Sequence, residues 1–221
     1  MRWIAADTET TGFGPTAKVV EIALAEVGED MQELDALASY INPEMPIPPS
    51  ASAVHHITDS MVSGSPTIEE FFSDMTWTQV EDVTVIAHNA AFDMQYLAPH
   101  FKPGTKSLCT LRLVRHLYPE LENHKLQTLR YAFDLDAGRA HSADGDTTVL
   151  VSLLQHIHRD KGLTLNELFE LAGSRLNITK MPFGKHKGQL IVDLSKSYVR
   201  WALDNMASLD DDHRAALEAV L

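Results

Sequence analysis

Trp3-Ile4-Ala5-Ala6-Asp7-Thr8-Glu9-Thr10-Thr11-Gly12 decides the fold. Its four leading apolar residues read as a short buried strand. Residues two apart on a strand share a face, so Asp7 and Glu9 present two carboxylates side by side. Gly12, followed by Phe13-Gly14-Pro15, turns the chain away. Two like charges this close repel unless protons or a cation neutralise them. Hard oxygen ligands of this kind suit Mg²⁺ or Mn²⁺. Standing alone, an Asp-x-Glu pair is more often solvated surface than a metal site.

Outward from this stretch, residues 19–27 read as a second strand and residues 34–41 as a third, joined by the turn signal Gly28-Glu29-Asp30. Connections this short make the three an antiparallel meander. A proline-rich loop from Asn42 to Pro49 leads into Val54-His55-His56-Ile57-Thr58. Thr67 with Glu70 three residues later forms a capping box that opens a helix. Residues 82–87 read as a fourth, buried strand running directly into His88-Asn89-Ala90-Ala91-Phe92-Asp93. Helix resumes through Tyr96 and Leu97 and stops near Pro99. A short strand near Ser107-Leu108-Cys109 precedes helices over 111–117 and 126–133. After the loop Gly138-Arg139-Ala140-His141-Ser142, Val149, Leu150, Leu153, Leu154 and Ile157 repeat at helical spacing over 143–158.

At 221 residues the chain suits one ordinary domain plus a small appendage. The boundary falls near residues 171–178, giving domains 1–172 and 173–221. Cys109 is the sole cysteine, so no intramolecular disulfide can form, which fits a reducing cytoplasm. No signal peptide and no membrane span is expected. The net charge of −13 is unevenly spread: residues 1–101 hold only Arg2 and Lys18 against sixteen Asp and Glu. Residues 174–200 hold Arg175, Lys180, Lys185, Lys187, Lys196 and Arg200 against Asp193 alone. A divalent-metal site needs local acid, so the negative total does not exclude a phosphate substrate.

Three separated acidic elements therefore exist: Asp7 with Glu9, Asp93 just after a buried strand, and Asp146 on the first turn of a helix five residues after His141. Together they resemble the DnaQ-like 3′–5′ exonucleases of the DEDDh type. The first motif is Asp7-Thr8-Glu9-Thr10-Thr11-Gly12, with Val20-Glu21-Ile22-Ala23 downstream. The second is Asn89-Ala90-Ala91-Phe92-Asp93, and the third is His141-Ser142-Ala143-Asp144-Gly145-Asp146. Val54-His55-His56-Ile57-Thr58 resembles the family's His-Gly-Ile-Thr, with His56 in place of the glycine. The match runs in order over residues 1–160. Thr179-Lys180-Met181-Pro182-Phe183-Gly184-Lys185-His186-Lys187-Gly188 and Tyr198-Val199-Arg200-Trp201 resemble a small basic C-terminal segment carried by one member of similar length.

The resemblance implies an α/β, RNase H-like fold: a mixed five-stranded sheet flanked by helices, with a small basic C-terminal appendage. It also implies two Mg²⁺ (or Mn²⁺) ions held by Asp7, Glu9, Asp93 and Asp146, with Asp7 bridging both. Glu9 and Asp146 complete one ion and Asp93 helps hold the other. His141 is placed to take a proton from the attacking water, histidine being the side chain that ordinarily titrates near neutrality. The implied substrate is a DNA 3′ end, single-stranded or duplex, with RNA an open alternative, and the implied setting is DNA repair. The alternatives are a proofreading subunit of a polymerase and an inactive binding module. Thr10, Thr11 and Gly12 lie where a turn could meet the terminal sugar. Phe13 could stack on the last base, while Asn89 and Phe92 shape the second motif. Lys185 and Lys187, between Gly184 and Gly188, form a basic turn suited to phosphate contact.

Overall fold

Strand β1 (Arg2–Thr10) lies in the middle of a five-stranded sheet of order β3-β2-β1-β4-β5. Strands β2 (Val19–Val27) and β3 (Glu33–Tyr40) continue it as an antiparallel meander. Strands β4 (Val83–Ala87) and β5 (Lys106–Cys109) add parallel on the other side, through helical crossovers. This mixed sheet with helices is the RNase H-like α/β fold expected. The structure, a computed structural model, describes residues 1–73, 75–135, 139–181, 184–206 and 209–221, with the backbone alone for Gln79. Gly138 of the expected loop and Pro182 and Phe183 of the C-terminal motif lie outside the described residues.

Alternation along β1 divides the two cores. Trp3 and Ala5 point to one face, where Ile86, Leu108 and the apolar side of α7 (Ala143–Lys161) complete the larger cluster. Ile4 and Ala6 point to the other, against Leu24, Val83, Val85, Leu97, Phe101 and Phe72. Phe72 comes from α3 (Ile68–Ser73), which the Thr67–Glu70 box caps reciprocally: the Thr67 N–H donates to Glu70 at 2.8 Å and the Glu70 N–H to Thr67 Oγ1 at 3.2 Å. Leu97 ends α4 (Ala91–Leu97). Burial at about 25 cal/mol per Å² of apolar surface on both faces holds the sheet between its helices.

The proline-rich stretch is irregular as expected up to Pro48, and two short helices that the sequence reading does not anticipate follow it, α1 (Pro49–His55) and α2 (Asp59–Val62). His56 closes α1 at φ 64°, the left-handed position that glycine favours. That conformation explains why the related motif carries glycine there. Helices α5 (Thr110–Leu117), α6 (Leu126–Ala132) and α8 (Leu165–Gly173) complete this unit, which spans Met1–Gly173.

Ser174–Leu221 form a second compact unit. A Lys180–Leu190 bridge closes a hairpin whose turn uses Gly184 and Gly188 at positive φ. Helices α9 (Lys196–Asn205) and α10 (Asp211–Glu218) cover it, around Met181, Ile191, Val199, Ala202 and Leu217. Its charge corrects the expectation of a basic segment throughout 173–221. Asp204, Asp210, Asp211, Asp212 and Glu218 follow the lysines, so the basic character ends near Arg200. No helix among the described residues is long and apolar enough to cross a membrane.

Candidate active site

The alternation that divides the cores also aims the motif residues. Asp7 and Glu9 share the parity of Trp3 and Ala5, so they face α7, the helix that carries Asp146. Thr8 shares the parity of Ile4 and faces α4, which carries Asp93; the Thr8 hydroxyl donates to Asp93 Oδ1 at 2.8 Å. Strands β1 and β4 run parallel, with Ala5 beside Ile86. Their C-terminal ends therefore deliver Asp7, Glu9 and the Asn89–Asp93 turn to one edge of the sheet, where α/β sheets place their sites. Asn89 makes that turn at φ 74°, a left-handed conformation that asparagine tolerates.

Ligand atoms of Asp7, Glu9 and Asp146 lie within 4.8 Å of one another. Burial, then the charges of Asp93, Asp146, Glu9 and Glu21, push the Asp7 carboxyl well above the ordinary carboxylate range. Burial and the neighbouring Asp146 raise Glu9 to about 7. Burial raises Asp93 to about 7 against the opposing Thr8 hydrogen bond. Asp146 is raised by burial and lowered by its hydrogen bond from Gln127 and by the charge of His141. Carboxylates held this close are neutralised by protons or by a cation, and an all-oxygen set fits a hard divalent cation. Asp93 stands outside the tight trio and touches it through its charge on Asp7.

His141 is exposed, at φ 56°, and its backbone N–H reaches the Asp146 carboxylate. Ser142 caps α7 by accepting from the Gly145 N–H at 3.3 Å, and its hydroxyl donates to the Arg139 carbonyl at 2.7 Å. Gly145 is wedged there: a Cβ would sit 2.0 Å from the Arg139 carbonyl oxygen. The loop bearing His141 and the helix bearing Asp146 thus meet at a position closed to other residues.

Thr10 and Thr11 are buried and their hydroxyls serve the turn. Thr10 Oγ1 donates to the Gly12 carbonyl at 2.7 Å, and Thr11 Oγ1 accepts from the Lys18 N–H at 3.0 Å. Phe13 projects beyond them, 89 % exposed, with its ring edge-on to Phe92, which in turn meets Tyr96. Lys185 and Lys187 are exposed on the hairpin turn of the second unit. Three residues given no role by sequence reasoning also build the site: Thr8 and Glu21, which it quotes only as parts of the first motif and its downstream stretch, and Gln127, which it passes over. Glu21 lies opposite Glu9 on β2, is buried, and accepts the Ala143 N–H at 2.8 Å, pinning the start of α7. Its signal is legible: a carboxylate near the start of a strand whose only other charged residue is Glu26. Gln127 has none, because its partner comes from another helix.

The family model described as Exonuclease (RNase T) matches residues 4–154, and one described as a putative quorum-sensing-regulated virulence factor matches residues 172–205. Exodeoxyribonuclease 10 of Escherichia coli (strain K12) is 29 % identical over 222 residues, covering 97 % of this chain and 96 % of that protein. A PolC-type DNA polymerase III of Bacillus cereus is 31 % identical over 166 residues, 72 % of this chain and 11 % of the polymerase. The solved structure of exonuclease X in complex with 5′ overhanging duplex DNA superposes with a TM-score of 0.64 at 28 % identity, covering 77 % of this chain and 99 % of that one. Matched in sequence over its whole sheet and in structure by a solved exonuclease, the chain belongs to the RNase T exonuclease family and is a DnaQ-like 3′–5′ exonuclease.

Proposed function

We propose that the chain removes nucleoside 5′-monophosphates from DNA 3′ ends with two divalent cations, Mg²⁺ or Mn²⁺, and that it acts in DNA repair in the cytoplasm. The observation that carries the reading is the cluster of Asp7, Glu9 and Asp146, whose crowded charges call for a cation. The end-to-end likeness to an exodeoxyribonuclease, and to an exonuclease bound to duplex DNA, supports DNA as the substrate.

Asp7, Glu9 and Asp146 would hold one ion and Asp7 with Asp93 the other. When bound, such ions supply charge stabilisation of the phosphate and acidify a water. The chain's own groups do the rest. His141 takes the proton as the water oxygen bonds to phosphorus and the P–O3′ bond breaks. The leaving 3′-oxygen is protonated from solvent. Thr8 fixes Asp93, and Gln127 with the His141 N–H fixes Asp146. The Thr10-Thr11-Gly12 backbone meets the terminal sugar and Phe13 stacks on the last base, backed by Phe92; Asn89 sets the turn that presents them. Lys185 and Lys187 contact phosphates.

Three substrates labelled near the 5′ end, namely single-stranded DNA, duplex DNA and RNA, incubated side by side with Mg²⁺, test the reading. Stepwise shortening of DNA from the 3′ end, abolished by EDTA, is expected. Shortening of RNA alone, or of nothing, would overturn it. The match to a PolC-type polymerase favours one second reading, an exonuclease working beside a polymerase. Stable co-purification with a polymerase would separate that role from the first.

A further inference from the structure

Tyr198 and Trp201 stand one turn apart on α9, three residues from one another, so they share a face. The neighbouring face, Val199 and Ala202, is buried in the unit's core, and Tyr198 packs partly buried against its edge while Trp201 stands further out. Their rings lie 5.7 Å apart and 31° from parallel, and the His186 ring meets Tyr198 at 4.2 Å. Three rings therefore form a row that leads from the helix to the hairpin turn. Trp201, at its outer end, is 50 % exposed. A core indole would be covered, and an indole left half in water has apolar area to give to a ligand. Cations gather at the hairpin end of the row, where Lys185 and Lys187 flank His186, and Arg200 precedes Trp201, all three exposed; the carboxylate nearest Trp201 along α9 is Asp204, one turn further on and also exposed.

An aromatic row bordered by cations is complementary to one polymer chemistry, a polyanion with exposed flat bases. Duplex DNA offers the anion but keeps its base faces stacked on each other. We propose that this face of the second unit is a stacking platform for unpaired nucleotides of single-stranded DNA, with Trp201 as the terminal base contact and Lys185 and Lys187 as phosphate contacts. The proposal rests on DNA being the substrate of the first unit. It adds to the chain a second nucleic-acid contact, carried by a unit that holds none of the acidic cluster.

Binding measured in EDTA, where no turnover occurs, tests the platform on the full chain. Fluorescence anisotropy of labelled oligo(dT) and of a blunt duplex of equal length is the readout. Trp201→Ala should weaken oligo(dT) binding by about 5- to 150-fold, the worth of one stacked base, and duplex binding far less. Lys185→Ala with Lys187→Ala should instead flatten the dependence of log K on log salt by about 0.7 per lysine for single strands. Trp201→Phe keeps a ring, so its affinity should stay within a few-fold of wild type while the tryptophan quenching caused by oligo(dT) is lost. That variant keeps the test open should Trp201→Ala misfold. Unchanged oligo(dT) affinity in folded Trp201→Ala, equal losses for single strand and duplex, or quenching that survives in Trp201→Phe would each overturn the platform. An enzyme with no nuclease activity would still give the binding result, so failure of the catalytic reading and failure of this one are told apart.

Discussion

Asp7 is the residue at which stability and activity pull apart. Burial and four other carboxylates raise its pKa, so without a cation the folded chain is strained by its own site. Asp7→Asn removes one charge and keeps the shape. It should raise the melting temperature in EDTA while reducing Mg²⁺-dependent turnover to near background; thermal melts and a nuclease assay on one preparation check both. Wild-type turnover in the folded variant would remove Asp7 from the metal site. His141 makes a separate case, since it is exposed and not in the acidic trio. His141→Ala should lower kcat by about 10²–10⁴-fold, the usual contribution of a positioned base, in a nuclease assay at saturating Mg²⁺. At this scale the sequence exposes what strand alternation alone can place. Asp7 and Glu9 can be paired on paper. Thr8 sits between them, and its role depends on which helix covers the reverse face of the sheet.

Helix α7 is the element on which the site closes. Its first turn holds Asp146, its cap holds Gly145 against the His141 loop, and Glu21 of β2 accepts its Ala143 N–H. Glu21→Ala should leave that buried donor unpaired and cost about 1–3 kcal/mol of stability. Because the helix start would shift, kcat should fall with it and the Mg²⁺ concentration for half-maximal rate should rise. Glu21→Gln, which keeps a carbonyl acceptor, should recover most of both. Equal kinetics for all three proteins would confine Glu21 to the strand. The strands and α7 are legible because their periods are strong and their boundaries carry turn or cap residues. Helix α8 escapes the sequence reading, although Thr164 and Glu167 cap it reciprocally, at 2.8 Å and 3.3 Å. Helices α1 and α2 escape it too, being only seven and four residues long; the last of the preceding prolines, Pro49, begins α1, where a missing N–H does no harm.

For the whole molecule, the acidic cluster links stability to pH and to metal. Glu9 and Asp93 rise from ordinary carboxylate values to about 7 in the folded chain. The folded state therefore holds protons that the unfolded chain has already released. In EDTA, stability should accordingly be greatest below about pH 4 to 4.5 as far as these groups are concerned, and should fall as pH rises to about 7. Adding Mg²⁺ should restore it most at the high end, where the carboxylates are charged. Melting temperatures across that range, with and without Mg²⁺, check the slope; a metal-free curve that rises through the window would refute it. The division of the chain is legible as a change in charge, but the acidic run from Asp204 onward is masked by the lysines that dominate the motif before it. The strand order also governs synthesis. The first strand made is the middle of the sheet, and its neighbour β4 and the helix carrying Asp146 come much later in the chain. At about 5–20 residues per second on a ribosome, Asp7 waits on the order of ten seconds for Asp146. A polypeptide abandoned before α7 carries the first acidic motifs without Asp146, so under the proposed mechanism a prematurely terminated product should have no nuclease activity.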